Sequence, residues 1–427
     1  MSIGPLHVTT PEERRRAFMV LFACMLAIGM GQTLVYAVMP PIARSLGMSE
    51  LQTTMIYSLS SLLWLATSAF WGRRSDRVGR KPILLMGLAG FGFSTLLIAI
   101  FTLFGLLGWL AVATVFPLLL LSRGFFGGFG SGVNPAATAY VADRTTRDER
   151  ASGVAGIGAA FGIGTVVGPG VAAGFAEIHI LAPFFAVSAF AFVTTYLIWK
   201  YLPERTAPSS TLDERRRRRS ALKWRDRRVL PWVLVAVVVS VSQSILMQLM
   251  PFYVMDTLHI DGHDATQMVS VGLMSMAMAT LFAQIGVIQR FDLSVQFLLR
   301  WGGIATAAGM ALFAIGGSYG LIVSSLALCG FGFGLLRPGI VVAGSLSVSP
   351  ADQGAVAGFI GSTAAIGVII NPFVGIPLYE WNAHAPFVFD LLLVLGILAF
   401  AYLHPAVWDM RQSAEKYDDE EDGMGFT

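Results

Sequence analysis

The sequence predicts an all-α membrane protein with twelve transmembrane helices arranged in two pseudo-symmetric six-helix bundles. Three observations lead to this prediction: a scarcity of charge, a succession of long apolar runs, and a basic segment near the middle of the chain. Of the 427 residues, 55% are hydrophobic and only 13% are charged, whereas a soluble domain carries about 25% charged residues. So few charges cannot cover the surface of a soluble protein, and lipid is therefore the expected solvent.

The apolar runs have the length that a membrane crossing needs. A hydrocarbon core of roughly 30 Å takes about twenty helical residues. The expected spans lie near 17–39, 52–71, 83–104, 110–141, 152–176, 182–201, 230–255, 267–289, 296–316, 319–346, 354–379 and 385–407. The fourth and tenth runs exceed one crossing, and tilt or an extension beyond the membrane is expected to absorb the excess.

The basic residues predict the orientation of these spans. All of the 29 Lys and Arg residues except Arg44, Arg123 and Arg337 fall on the side of the membrane that holds both termini, or at its edge. By the positive-inside tendency that side is the cytoplasm. We expect a multi-pass protein of the cell inner membrane with cytoplasmic N- and C-termini. The basic residues form no continuous face, so nucleic acid is not an expected partner.

A polar segment divides the chain near its middle. Residues 203–228 read "PERTAPSSTLDERRRRRSALKWRDRR", which is too charged to cross lipid. We interpret it as a cytoplasmic linker between an N-terminal bundle, 1–202, and a C-terminal bundle, 229–408, with an acidic cytoplasmic tail at 409–427. The arginines at 215–219 either fix the topology, which we favour, or attract anionic lipid headgroups.

Weak internal repetition supports two related halves. The pair Asn134-Pro135 recurs as Arg337-Pro338, and the pair Gly168-Pro169 recurs as Asn371-Pro372. Both separations are 203 residues (337 − 134 and 371 − 168). Repeated helical halves are common in secondary transporters, in which the substrate site lies between them near the membrane midplane.

The loop between spans two and three concentrates charge. It reads Gly72-Arg-Arg-Ser-Asp76-Arg77-Val-Gly79-Arg80-Lys81. Gly79 can adopt the positive φ that a tight turn between antiparallel helices needs, and the basic pair Arg80-Lys81 holds the turn in the cytoplasm. The acid Asp76 is not explained by topology alone.

This loop resembles the motif G-x-L-A-D-R-x-G-R-K of the major facilitator superfamily, and the resemblance extends over nearly the whole chain. Arg74 and Ser75 replace the Leu and Ala of the motif. The resemblance implies the major facilitator fold and places Asp76 at the N-terminus of span eleven, near residues 352–354, where the helix dipole favours a carboxylate. Arg77 is expected to pair with Asp143 at the cytoplasmic end of span four. Such contacts would form a latch that favours an outward-open state; the alternative is a plain topology signal.

Spans four and five carry two more stretches that resemble family motifs. "LLSRGFFGG" contains Arg123, with Phe126 where the family usually has Gln. An arginine at membrane depth is a functional candidate, either responding to proton movement or binding an anion; the alternative is a side chain that snorkels to the interface. "GIGTVVGPGVAAGF" resembles the antiporter motif through Gly164, Gly168 and Pro169, although such glycines also serve simple helix packing.

The residues that would couple transport to protons are few. Asp390 is the only acid that we place inside a predicted span, and we name it with Arg123 as the proton-coupling candidates. A buried carboxyl can titrate in the physiological range, but a structural salt bridge is an equally good reading of Asp390. Proton coupling is therefore implied mainly by the family resemblance.

The predicted substrate cavity is apolar and rich in Met, which suits amphiphilic ligands of varied shape. Arg337 precedes a proline that interrupts the helix, and with Arg123 it suggests an anionic group on the substrate. The polar cavity candidates are Gln32, Tyr36, Asn134, Gln243, Gln248, Arg337 and Asn371.

Together these features predict a proton-coupled exporter of amphiphilic drug-like or metabolite molecules that works by alternating access. An uptake symporter or facilitator for a small metabolite, which could be anionic, is the main alternative, and a membrane receptor is a more distant one. We predict no cofactor, no metal site and no enzymatic activity. The expected partners are a small-molecule substrate, protons and the lipid bilayer, and the protein is expected to be a monomer.

Overall fold

The structure, a computed structural model, describes residues 11–204, 222–349, 352–405 and 407, and these contain long helices and no β-strand. Each of the twelve predicted spans coincides with one helix, so the all-α prediction is confirmed. The helices are α1 Pro11–Ser45, α2 Glu50–Val78, α3 Arg80–Leu106, α4 Val112–Ala142, α5 Arg147–Ala176, α6 Ala182–Tyr201, α7 Leu230–Leu258, α8 Gly262–Ile288, α9 Val295–Ile315, α10 Tyr319–Leu346, α11 Gln353–Trp381 and α12 Ala385–Leu403.

Helix α2 differs in composition from the other described helices. Eleven helices of the described chain are long and apolar enough to cross a membrane, and α2, with 29 residues, is long enough but more polar. Several of its hydroxyl side chains donate to backbone carbonyls one turn earlier: Thr53 donates to the Ser49 carbonyl at 3.0 Å and Ser58 to the Thr54 carbonyl at 3.1 Å. Hydroxyls bonded in this way do not need water, so α2 remains compatible with the predicted second crossing.

The long fourth span contains a π-helical turn at Phe126–Gly130. Such a turn interrupts the regular backbone ladder, and its carbonyls need other donors. The Gly128 carbonyl accepts a hydrogen bond from Thr67 Oγ1 at 3.0 Å and another from Trp71 Nε1 at 2.6 Å, both from α2. The two helices approach so closely here that a Cβ at Gly127 would lie 2.2 Å from the Ser60 carbonyl oxygen. The turn is therefore fixed against α2.

The helices form two compact units. One comprises Met1–Arg216 and Val254–Met274, and the other comprises Arg217–Tyr253 and Ser275–Thr427. In the first unit α1 packs along α5 and α3 along α6; in the second, α9 packs along both α10 and α12. The first unit includes the end of α7 and the first half of α8, so the proposed bundle boundaries at 202 and 229 remain a prediction.

Only the ends of the predicted linker are described. The arginines at 215–219 and the tail at 409–427 lie outside the described residues. Just before α7, the Arg228 side chain donates through Nε and Nη2 to the Asp226 carboxylate, both at 3.1 Å. These hydrogen bonds hold the pKa of Asp226 below its ordinary value, because they favour the ionised form.

Candidate functional site

The turn between α2 and α3 is built around Gly79. Its φ is +99°, a region that favours glycine, and its backbone N–H donates to the Ser75 carbonyl at 3.1 Å. Gly72, by contrast, has open space where a Cβ would stand. Within this motif Gly79 is therefore the glycine that the backbone requires.

Arg80 is the centre of the charged contacts in this turn. Its guanidinium contacts the Asp76 carboxylate at 2.5 Å and the Asp143 carboxylate at 3.2 Å, and it donates to Ser75 Oγ at 2.8 Å. The expected partner of Asp143 was Arg77, but Arg77 is exposed. Arg80 takes this place because it opens α3, between the end of α2 and the end of α4. The approach of Asp76 to the start of α11 remains a prediction.

The end of α6 also holds this turn, through contacts that the sequence reasoning missed. The Glu204 carboxylate accepts a hydrogen bond from the Lys81 backbone N–H at 2.9 Å, and Lys81 Nζ donates to the Trp199 carbonyl at 2.7 Å. Glu204 thus satisfies one of the free N–H groups at the start of α3 and places a negative charge at that helix end. The Pro203 carbonyl beside it accepts from Tyr140 and Arg144 at 3.1 and 3.0 Å.

Arg123 is enclosed within the first unit. Its residue exposure is 4%, and its Nε and Nη1 atoms have no hydrogen-bond partner within the described chain. The guanidinium lies over the Phe126 ring, 4.5 Å from the centroid, and it is close enough to Tyr36 and Tyr57 to interact with them electrostatically. Phe126, which departs from the family pattern, therefore offers a cation–π contact in place of an amide.

The α5 glycines lie against the backbone of α1. A Cβ at Gly164 would stand 2.4 Å from the Leu26 carbonyl oxygen, and one at Gly168 would stand 2.4 Å from Thr33 Oγ1. Gly29 on α1 is equally tight, with 2.3 Å to the Phe161 carbonyl oxygen. Pro169 lies inside α5 directly after this contact. These residues of the antiporter-like stretch therefore bring two helix backbones together.

Asp390 is fully buried in the second unit. Its exposure is 0%, and neither carboxylate oxygen has a hydrogen-bond partner in the part of the chain that is described. The Ser242 hydroxyl of α7 is its polar neighbour and is itself buried without a formed hydrogen bond. Cys329 of α10 is also near. No described cation pairs with this carboxyl, so the salt-bridge reading finds no support.

Two buried amides lie on packed helices of the same unit. Gln248 on α7 donates to Ser244 Oγ at 2.6 Å, but its Oε1 is unpartnered among the described residues, as are both amide atoms of Asn371 on α11. The two helices are in contact through Ser240, whose hydroxyl lies 3.1 Å from that of Thr363. These amides therefore retain hydrogen-bonding capacity in an apolar interior.

The remaining cavity candidates are less enclosed. Gln32, Tyr36 and Gln243 are half-buried, whereas Asn134 and Arg337 are exposed. The Tyr36 ring packs edge-on against Tyr57, with centroids 4.7 Å apart. Nothing in the described contacts gathers all seven candidates into one site, so the cavity remains a proposal.

A further polar cluster, here called the Arg44 cluster, comprises Arg44, Glu50 and Asp256. Arg44 contacts the Glu50 carboxylate at 3.1 Å and the Asp256 carboxylate at 2.5 Å. Another pair of helix ends is also in contact, since His263 Nδ1 at the start of α8 lies 3.1 Å from the carbonyl oxygen of Ala176, the last residue of α5. Neither Glu50 nor Asp256 is among the site residues predicted from the sequence. Arg44 is the one basic residue that the predicted topology places on the side opposite the termini. Its isolation there is the sequence feature that could have indicated an ion pair.

Comparison with known proteins identifies the family. The sequence model of the Major Facilitator Superfamily matches residues 21–372. Multidrug resistance protein 1 of Bacillus subtilis (strain 168) is 26% identical over 393 residues, which are 90% of this chain and 95% of the relative. Quinolone resistance protein NorA of Staphylococcus aureus (strain MSSA476) is 23% identical over 376 residues, or 86% and 91% of the two chains.

Solved structures share the fold. A D-xylose–proton symporter superposes with a TM-score of 0.71 at 16% identity, covering 91% of this chain and 97% of the symporter. A bacterial homologue of the human lysosomal transporter Spinster, in an inward-facing and unoccupied conformation, gives 0.70 at 14% identity, covering 92% and 97%. With the sequence match over most of its length, this chain is a multi-pass membrane protein that belongs to the major facilitator superfamily.

Proposed function

We propose that this protein exports amphiphilic compounds across the cell inner membrane in exchange for protons, by alternating access. The names of its relatives support export, since multidrug and quinolone resistance proteins align with 86–90% of this chain. The observation that carries the proton coupling is Asp390, a fully buried carboxyl without a cationic partner among the described residues.

The surroundings of Asp390 suit a group that gains and loses a proton. An ionised carboxylate is costly to bury unless it is paired, and the polar neighbours of Asp390 among the described residues are the uncharged Ser242 hydroxyl and Cys329 thiol. A protonated carboxyl meets no such cost and can donate to that hydroxyl. Opening of the unit to water would then release the proton, so the charge of Asp390 would follow the conformation.

Arg123 is the second proposed coupling residue. Its guanidinium has two unpartnered nitrogens among the described residues and rests on the Phe126 ring. A buried cation of this kind favours a compensating negative charge nearby. We propose that an anionic group of the substrate, or a carboxylate that has lost its proton, supplies that charge during the cycle.

Substrate recognition is proposed to rest on few polar groups in an apolar setting. Gln248 and Asn371 offer unpartnered amide atoms, and Gln32, Tyr36, Asn134, Gln243 and Arg337 complete the proposed set. With so few hydrogen-bonding groups, the site would select ligands by shape and apolar area. It would therefore accept varied amphiphilic compounds more readily than one specific metabolite.

The test uses the purified chain in proteoliposomes that contain a pH-sensitive dye. A pH gradient is imposed, and ethidium, norfloxacin or taurocholate is added as a cationic, zwitterionic or anionic probe. We expect proton flux to depend on at least one probe and to be lost in Asp390→Asn. Glu380→Gln is the matched control, because Glu380 is an exposed acid of the same unit.

The direction of flux separates the proposed function from its alternative. Probe moving against the proton flux supports antiport. Probe moving with protons indicates an uptake symporter, and probe movement without any proton flux indicates a facilitator. Unchanged coupling in Asp390→Asn would remove Asp390 from the mechanism.

A further inference from the structure

A crevice opens at the end of the first unit where α1 begins. It lies between the first turns of α1, the end of α4 and the beginning of α5, and its volume is about 700 Å³. Small-molecule sites commonly have volumes of about 300–1,000 Å³. None of the seven cavity candidates lines the crevice, and Phe22 in its wall is ten residues from Gln32 on α1, or about 15 Å.

The interior of the crevice is apolar. Phe18, Met19 and Phe22 of α1 face Val141 of α4 and Ile157 of α5. Met19 and Phe22 remain 54% and 39% exposed, so this surface is open to an apolar chain.

The mouth of the crevice carries net positive charge. Arg14 is neutralised by Glu149, to whose two carboxylate oxygens it donates at 2.9 and 3.3 Å. Arg15, which also lines the crevice, is exposed and has no ion-pair partner among the described residues. An occupant with an anionic head and an apolar tail would therefore match both parts of the crevice.

We infer that this crevice binds an anionic phospholipid of the leaflet that faces the chain termini, with the headgroup at Arg15 and an acyl chain along Phe18 and Phe22. The proposed orientation places this end of α1 at the cytoplasmic leaflet, whose anionic lipids attract basic residues near the membrane surface. The inference does not depend on export, because lipid binding can be measured without transport.

The test is photo-crosslinking of the full chain in phosphatidylcholine nanodiscs. The probe is phosphatidylglycerol with a diazirine in one acyl chain, and mass spectrometry of peptides locates the adducts. We expect adducts at residues 18–22 and 153–157. Arg15→Gln should weaken this labelling about fivefold at low probe concentration. Arg16→Gln, on the same helix but outside the crevice, should leave it unchanged.

A second pair of variants tests whether the lipid occupies the crevice. A Cβ at Gly156 would meet no neighbouring side chain or helix within 4 Å, so the side chain of Gly156→Leu starts in open space inside the crevice and should abolish the adducts. Gly158→Leu is the matched control, since Gly158 also has open space but does not line the crevice.

Each remaining outcome counts against the proposal. Equal labelling by a diazirine phosphatidylcholine would show that the head charge is not recognised. Displacement of the probe by submicellar taurocholate would assign the crevice to a soluble amphiphile, and displacement by inorganic phosphate would reduce it to an anion site. Unchanged labelling in Gly156→Leu would place the lipid elsewhere.

Discussion

Gly164→Ala is the substitution whose effect the structure defines most closely. The new Cβ would lie 2.4 Å from the Leu26 carbonyl oxygen and 3.0 Å from the Met30 backbone nitrogen. Because comfortable carbon contacts begin near 3.5 Å, α1 and α5 must separate by about 1 Å. Overpacking of this kind costs about 1–3 kcal/mol, whereas Ala in place of Gly in a helix gains about 0.5–1 kcal/mol.

Gly158→Ala is the control that separates the cost of overpacking from the effect of replacing Gly by Ala in a helix. It makes the same chemical change on α5, but the new Cβ would meet no neighbouring helix within 4 Å. We expect Gly158→Ala to stabilise the protein slightly and Gly164→Ala to be less stable than it by about 1–3 kcal/mol. For a unit of this size, each kcal/mol of lost stability lowers the melting temperature by roughly 2–4 °C.

The buried thiol of Cys24 on α1 supplies the assay. In a Cys329→Ala background, a maleimide dye that fluoresces on reaction reports the temperature at which α1 becomes accessible. Equal melting temperatures for the two Ala variants would refute the assignment of Gly164 to close helix contact.

Two further predictions concern the charged clusters. Arg80→Gln should lower probe flux in proteoliposomes more than Arg77→Gln, because Arg80 pairs with two carboxylates and Arg77 is exposed; equal losses would contradict this distinction. Asp256→Asn should speed the reaction of a cysteine at Gln32 with an impermeant maleimide added opposite the termini, because it removes the Arg44–Asp256 ion pair. Arg44→Gln removes the same pair, and the Arg44–Glu50 pair with it, so Asp256→Asn should add nothing further in the double variant. Additive effects would show that the two residues act separately.

The fold was predictable because its signal is local. Runs of about twenty apolar residues define each helix without any knowledge of its neighbours, and the hydroxyl-rich α2 was still recognised because residues 52–71 carry no charge. The position of the turn at Gly79 was likewise visible in the sequence.

Pairing between distant residues was harder to predict. The sequence does not show that Arg80, not Arg77, meets Asp143, because that choice depends on where three helix ends lie in space. The contact between Glu204 and the Lys81 backbone joins residues 123 positions apart, and no pattern in either segment predicts it. Asp390 was found because an acid inside an apolar run stands out in any sequence.

The repeated dipeptides show how related positions diverge. Gly168 in the first unit contacts α1, whereas its counterpart Asn371 in the second is a buried amide with unpartnered atoms. One half uses the position for close packing, while the other retains a polar group there.

The π-helical turn in α4 fixes the direction in which the end of this helix faces. Its hydrogen bonds run from residue i to i+5 and not to i+4, so the turn holds one residue more than an α-helical turn. Residues advance by about 100° each around an α-helix. If Phe126–Gly130 became a regular α-helix at the same chain length, everything beyond it would therefore rotate by about that angle. Asp143, which lies just after the end of α4, would then swing away from its partner Arg80. The wide turn thus absorbs one residue and keeps this ion pair aligned.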